Sequence, residues 1–119
     1  MARILLAEDD DSLRRFLAQS LERAGHQVDA FEDGDGAWEA LDAALYDLLL
    51  TDIVMPGIDG IELARRAAEI RPEMKIVFIT GFAAVALAQG SAAPKTAKVL
   101  SKPFHLRDLV AEVERVIAA

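Results

Sequence analysis

Ile4-Leu5-Leu6-Ala7-Glu8-Asp9-Asp10-Asp11 passes from four apolar residues straight into four carboxylates. An apolar run this short, without polar alternation, suits a strand buried on both faces of a parallel sheet, and the acids mark where it emerges into water. Leu13, Phe16, Leu17, Leu21 and Ala24 then recur at helical spacing, with Asp11 or Ser12 to cap the start and Gly25 to supply a left-handed end. The unit is a strand followed by a helix.

The unit recurs along the chain. Val28 to Phe31 reads as a second strand and Gly36 to Leu45 as a second helix, carrying Ala37, Trp38, Ala40, Leu41 and Ala44. Leu48-Leu49-Leu50-Thr51-Asp52 is a third strand that again stops at a carboxylate, and the turn Met55-Pro56-Gly57-Ile58-Asp59-Gly60 leads into a helix over Ile61 to Ile70. Lys75 to Thr80 is a fourth strand by its β-branched and aromatic content, and Ala97 to Ser101 a fifth, with a short alanine-rich helix over Ala83 to Gln89 between them. Leu106, Leu109, Val110, Val113 and Ile117 form the stripe of a last helix. Strict alternation implies an α/β fold: a five-stranded parallel sheet with right-handed crossovers and helices on both faces. A single domain over 1–119 is expected, with no residues left for an output domain.

Composition excludes several functions. Hydrophobic residues make up 53% of the 119 and charged residues 28%, a globular balance without an apolar run long enough to span a bilayer, so no membrane insertion is expected. Thirteen basic residues against twenty acidic ones leave a net charge of −7, which opposes direct binding to nucleic-acid phosphates. The absence of cysteine excludes disulfides and thiolate metal sites, and the amino terminus lacks the features of a secretory signal. A cytoplasmic location is expected.

In parallel sheets of this kind chemistry collects at the carboxyl ends of the strands, near the reversal of strand order. Glu8 and Asp9, Asp52, Thr80 and Lys102 stand at the ends of the first, third, fourth and fifth strands, so they should converge. Carboxylates brought together raise one another's pKa unless a cation compensates them. With oxygen donors only and no histidine nearby, Mg²⁺ fits best, with Mn²⁺ as its substitute. A lysine ammonium and a threonine hydroxyl beside such an ion suit the oxygens of a phosphoryl group, and Asp52 would be the nucleophile that accepts it as an acyl phosphate. Each element alone has a plainer reading: an acidic run is commonly a solvated helix start, and Asp10 and Asp11 are read that way here. His26 and His105 are read as surface or capping residues, and Trp38 and Tyr46 as core or core edge.

The whole chain resembles the receiver domain of two-component response regulators. The resemblance rests on Glu8-Asp9, Asp52, the turn Met55-Pro56-Gly57-Ile58-Asp59-Gly60, Thr80 and Lys102-Pro103. It implies the flavodoxin-like receiver fold, a metal site of Glu8, Asp9, Asp52 and the main-chain carbonyl of Val54, and phosphorylation of Asp52 assisted by Thr80 and Lys102. It also suggests a cis Lys102–Pro103 peptide. The donor would be a histidine phosphotransferase or a sensor histidine kinase. Likeness to stand-alone cell-cycle regulators of this family implies an unphosphorylated form that assists the ClpXP protease.

Three positions depart from the family. Val99 occupies the place of a Tyr or Phe whose rotamer reports phosphorylation, and a branched aliphatic side chain cannot swing a ring. Another output surface is therefore expected, around Phe82, Val85 and Leu87, although Val85 is read more simply as packed on the sheet. Val54 and Phe82 hold the positions that set phosphoryl lifetime, and neither can hydrogen-bond an attacking water, so slow self-dephosphorylation is expected. Three alternatives stay open. One is a Mg²⁺-dependent phosphohydrolase with an aspartate nucleophile, which commonly has a second Asp where this chain has Val54. The second is a pseudo-receiver that serves purely as a binding surface, which would have lost the acids, Thr80 or Lys102, and none is lost here. The third is a receiver whose target is a kinase or another signalling protein.

Overall fold

The structure, a computed structural model, describes residues 2–80, 97–102 and 104–118, with Thr80 described by its main chain alone. The elements run β1 (Arg3–Ala7), α1 (Asp11–Arg23), β2 (Gln27–Phe31), α2 (Gly34–Ala43), β3 (Leu48–Asp52), α3 (Gly60–Ile70), β4 (Lys75–Thr80), β5 (Lys98–Ser101) and α4 (Leu106–Ala118). The helix expected over Ala83 to Gln89 lies outside the described residues, as does Pro103 of the suggested cis peptide. All five strands pair in parallel in one sheet of order β2-β1-β3-β4-β5. Strand order reverses between β1 and β3, so the crevice of this fold opens above those two strands.

Side-chain alternation along the strands builds two cores. Leu5, Leu49 and Phe78 point to one face of the sheet, where Leu41 of α2 and Leu63, Ala64 and Ala67 of α3 cover them. Ile4, Leu6, Leu50 and Val77 point to the other, against Leu17 and Leu21 of α1 and Leu109 and Val113 of α4. Every residue of β3 is buried, as its unbroken apolar run requires, whereas the edge strands β2 and β5 are partly exposed.

Three aspartates cap three helices in the same way. Asp10 accepts from Leu13 N at 2.9 Å, Asp33 from Gly36 N at 2.7 Å and Asp59 from Glu62 N at 2.8 Å, each satisfying an amide that the helix itself leaves unpaired. The cap of α1 is thus Asp10, rather than the expected Asp11 or Ser12. Capped by Asp33, α2 starts two residues earlier than expected; it ends at Ala43, and Leu45 lies exposed in the following loop. At the end of α1, His26 N donates to Leu21 O at 3.2 Å and Gly25 N to Glu22 O at 3.0 Å, with Gly25 at φ 100°. That is the left-handed termination anticipated for Gly25.

Two other glycines are needed for space. A β-carbon on Gly34 would lie 1.8 Å from Ile58 O, and one on Gly60 would lie 1.9 Å from Asp52 O. The loop after β3 is therefore gripped by the first residues of both α2 and α3, which also bond it through Gly34 N to Pro56 O at 3.3 Å and Gly60 N to Ile53 O at 2.7 Å. Around Gly25 a β-carbon meets nothing within 4 Å. Gly34→Ala should accordingly destabilise the fold by about 3 kcal/mol or more, as overpacking against rigid main chain does. Gly25→Ala should cost only about 1–2 kcal/mol for its left-handed conformation. Urea unfolding of the two variants measures both, and equal losses would contradict this account.

Candidate functional site

The acids at the end of β1 and the aspartate at the end of β3 meet at the crevice. Glu8 and Asp52 are buried, at 0% and 7% exposure, while Asp9 is exposed. One carboxylate oxygen from each of Glu8, Asp9 and Asp52 lies within 4.8 Å of the other two. Lys102, one residue beyond β5, reaches across β4 to place Nζ 3.0 Å from Asp52 Oδ2 and 3.4 Å from Glu8 Oε1. Asp52 Oδ1 accepts from Ile53 N at 2.7 Å, and Glu8 Oε2 accepts from Asp10 N at 3.0 Å. The two buried carboxylates are thus held by main-chain amides on one oxygen and by one shared ammonium on the other.

Burial pushes the Glu8 carboxyl up to about 7. The Asp10 amide and the Lys102 charge oppose that rise, while the Asp52 charge and a hydrogen bond with Asp9 add to it. Mutual repulsion among the acids, the cause expected from the sequence, is therefore secondary to loss of water. Burial also works against the Lys102 charge, but its hydrogen bond to Asp52 and the attraction of Glu8 and Asp52 outweigh it and hold the ammonium above its ordinary pKa. One lysine facing three carboxylates leaves the site with excess negative charge, and an all-oxygen donor set of this kind suits a hard divalent cation.

The main chain puts Thr80 at the carboxyl end of β4 opposite Ser101, one residue beyond the Asp52–Ile79 pair. Its side chain, with Phe82, Val85 and Leu87, lies outside the described residues. Val54 is 61% exposed just beyond Asp52, at the mouth. Val99 lies opposite Phe78 in the sheet and packs half-buried against the core under α2 and α3. His26 is remote from the site: its Nδ1 accepts from Ala2 N at 3.1 Å at the opposite end of the sheet. His105 caps α4 through its carbonyl, which accepts from Asp108 N and Leu109 N. Tyr46 is buried and donates its hydroxyl to Asp29 at 2.6 Å.

Sequence reasoning did not find Arg14. Its guanidinium donates from Nη1 to the main-chain carbonyl of Glu8 at 2.9 Å and from Nη2 to Asp11 at 2.6 Å. The available signal was Asp11 and Arg14 three apart at a helix start, which indicates only a local ion pair.

Paired acids just after β1, an aspartate at the end of β3 and a lysine just after β5 thus meet at one crevice of a five-stranded parallel sheet. The response regulator receiver domain family matches residues 4–114, and the chain belongs to that family. It is 64% identical over 119 residues to the response regulator receiver protein CpdR of Brucella abortus (strain 2308), covering 100% of this chain and 99% of that protein. It is also 31% identical over 118 residues to the sensor kinase CckA of the same organism, covering 98% of this chain and 12% of the kinase. A solved response regulator receiver protein from Sinorhizobium medicae WSM419 superposes with a TM-score of 0.90 at 34% identity, over 98% of this chain and 94% of that one. The chain is thus a response regulator receiver of two-component signalling. Among the described residues no helix is long and apolar enough to cross a membrane.

The Glu8 carboxyl gives the metal-free protein a pH signature. Its folded pKa of about 7 lies above the ordinary glutamate value of 4.5, so between these values the folded state holds a proton that the unfolded chain has released. The associated stability is complete below pH about 4.5 and is lost as pH rises to about 7, an effect of about 3 kcal/mol. Urea unfolding in EDTA across this range should show the decline in the wild type and its absence in Glu8→Gln. An identical slope in both proteins would refute the assignment.

Proposed function

We propose that this domain accepts a phosphoryl group on Asp52 from a phosphohistidine protein and changes its affinity for a partner protein as a result. The observation that carries the proposal is the Lys102 ammonium 3.0 Å from Asp52 Oδ2, in a crevice shared with Glu8 and Asp9. Asp52 is buried at a strand end with one oxygen fixed by the Ile53 amide, so its position is set before any donor arrives. A carboxylate oxygen of Asp52 attacks phosphorus in line, the phosphorus–nitrogen bond of the donor breaks, and the imidazole leaves with its electron pair and takes up a proton. Lys102 neutralises charge on the transferring oxygens, and Thr80 at the end of β4 is suited to donate a hydrogen bond to one of them.

Glu8, Asp9, Asp52 and the Val54 main-chain carbonyl would hold Mg²⁺, or Mn²⁺ in its place, which supplies charge neutralisation at the phosphoryl oxygens. The Val54 and Phe82 side chains offer no group to orient a hydrolytic water, which supports a long-lived acyl phosphate and argues against turnover as a phosphohydrolase. The domain assists its own phosphorylation and is a signalling protein, not an enzyme acting on other substrates.

The donor is a histidine phosphotransferase or a sensor histidine kinase. End-to-end similarity to CpdR supports the reading of a stand-alone receiver, for which a cytoplasmic location and a cell-cycle role are proposed. By the same analogy its unphosphorylated form assists the ClpXP protease. With Val99 packed against the core, output is proposed to pass not through a rotating aromatic but through another surface, for which Phe82 and Leu87 are the first candidates and Val85 the weaker one.

Incubation with Mg²⁺ and acetyl phosphate should add one phosphoryl group to the intact mass, and Asp52→Asn should abolish the gain. In the isolated wild type the label should persist for minutes or longer after the donor is removed. Continuous phosphate release, or a lifetime of seconds, would overturn this reading.

A further inference from the structure

Arg14, the fourth residue of α1, lies only 20% exposed, and its guanidinium turns back past the start of its own helix. Helical side chains lean toward the amino end, so the reach to the Glu8 carbonyl is a natural one. The charge is less natural there, because the first turn of a helix favours anions by ~0.3–1 kcal/mol. A cation is retained at this place by its specific partners, the Glu8 carbonyl and the Asp11 carboxylate.

Glu8 is fixed from every side. Its amide donates to Phe31 O at 3.0 Å, its carboxylate accepts from Asp10 N at 3.0 Å and from Lys102, and its carbonyl accepts from Arg14. Because the peptide unit is planar, fixing that carbonyl oxygen also fixes the amide of Asp9 and the direction in which the chain leaves β1. Asp9 is exposed and lacks the burial that holds Glu8.

We propose that Arg14 is a positioning residue for the metal site: by clamping the Glu8–Asp9 peptide it aims the Asp9 carboxylate into the acidic cluster, and Mg²⁺ affinity depends on that aim. The inference rests on the metal-binding reading given above and deepens it. A guanidinium this close would, by charge alone, repel a divalent cation. Positioning and charge therefore act with opposite signs, and substitutions can separate them.

The test is calorimetric titration of Mg²⁺ into the full chain, comparing wild type with Arg14→Met, Arg14→Gln and Arg14→Lys. Positioning predicts that Arg14→Met weakens Mg²⁺ by about tenfold, the lower end of what groups supporting metal ligands contribute. Arg14→Gln, whose amide can still donate to the carbonyl, and Arg14→Lys, which keeps the charge but loses the rigid fork, should fall between Met and wild type. In metal-free amide spectra, Arg14→Met should shift Glu8, Asp9 and Asp10 while leaving β3 and β4 in place. A charge effect alone would make Arg14→Met and Arg14→Gln bind Mg²⁺ more tightly and leave Arg14→Lys unchanged. That pattern, or unaltered affinity in all three variants, overturns the proposal. If Arg14→Met does not fold, Arg14→Gln and Arg14→Lys decide it. Failure of the wild type to bind Mg²⁺ would instead sink the metal reading on which the inference rests.

Discussion

The site depends on one ammonium shared between two carboxylates that have lost their water. Glu8 and Asp52 sit at the ends of adjacent parallel strands, where the sheet removes solvent from both, and Lys102 is the cation among the described residues that bonds to each. A buried carboxylate without a partner would neutralise by taking a proton, and Glu8 goes part of the way, with its pKa near 7. The lysine comes from β5, two strands away from Asp52, so the sheet order itself makes the contact. If β4 did not lie between β3 and β5 at this spacing, the same side chains would not meet.

Much of this was legible because burial on both faces leaves a strong mark in the sequence. Leu48-Leu49-Leu50 and Ile4-Leu5-Leu6 have no polar alternation, which only a two-sided core allows, and the carboxylates that follow mark the sheet edge. Helix starts were harder to read. Asp10, Asp11 and Ser12 are all good caps, and only the bond from Leu13 N to Asp10 settles the choice. The apolar pattern from Ala37 onward suggested a start at Gly36 for α2, yet the helix begins at Gly34, whose close approach to the loop at Ile58 requires a glycine.

The acidic run shows where sequence reading stops. Four adjacent carboxylates look like one feature, but the fold gives each a separate environment. Glu8 is buried against Lys102, Asp9 is exposed at the mouth, Asp10 caps α1, and Asp11 pairs with Arg14. Residue types place Glu8 and Asp9 at a strand end and Asp10 and Asp11 at a helix start, as the structure does. The bond from Arg14 to a carbonyl of Glu8 involves no side-chain complementarity that a sequence could display, and it was therefore invisible.

The same contacts bear on how a change at Asp52 would spread. Both of its carboxylate oxygens are engaged, one by Ile53 N and the other by Lys102. On the proposed chemistry a phosphoryl group on either oxygen must disturb one of those bonds. Loss of the Ile53 bond acts on a loop tied to α3 through Gly60 and to α2 through Gly34, with too little room at either glycine for a side chain. Loss of the Lys102 bond acts one residue beyond β5, two residues from half-buried Leu100 and three from Val99. Neither route needs an aromatic ring to rotate. A valine at position 99 is thus compatible with transmission, because the constraint lies in the main-chain ties around the site, and packed main chain transmits strain where side chains cannot move.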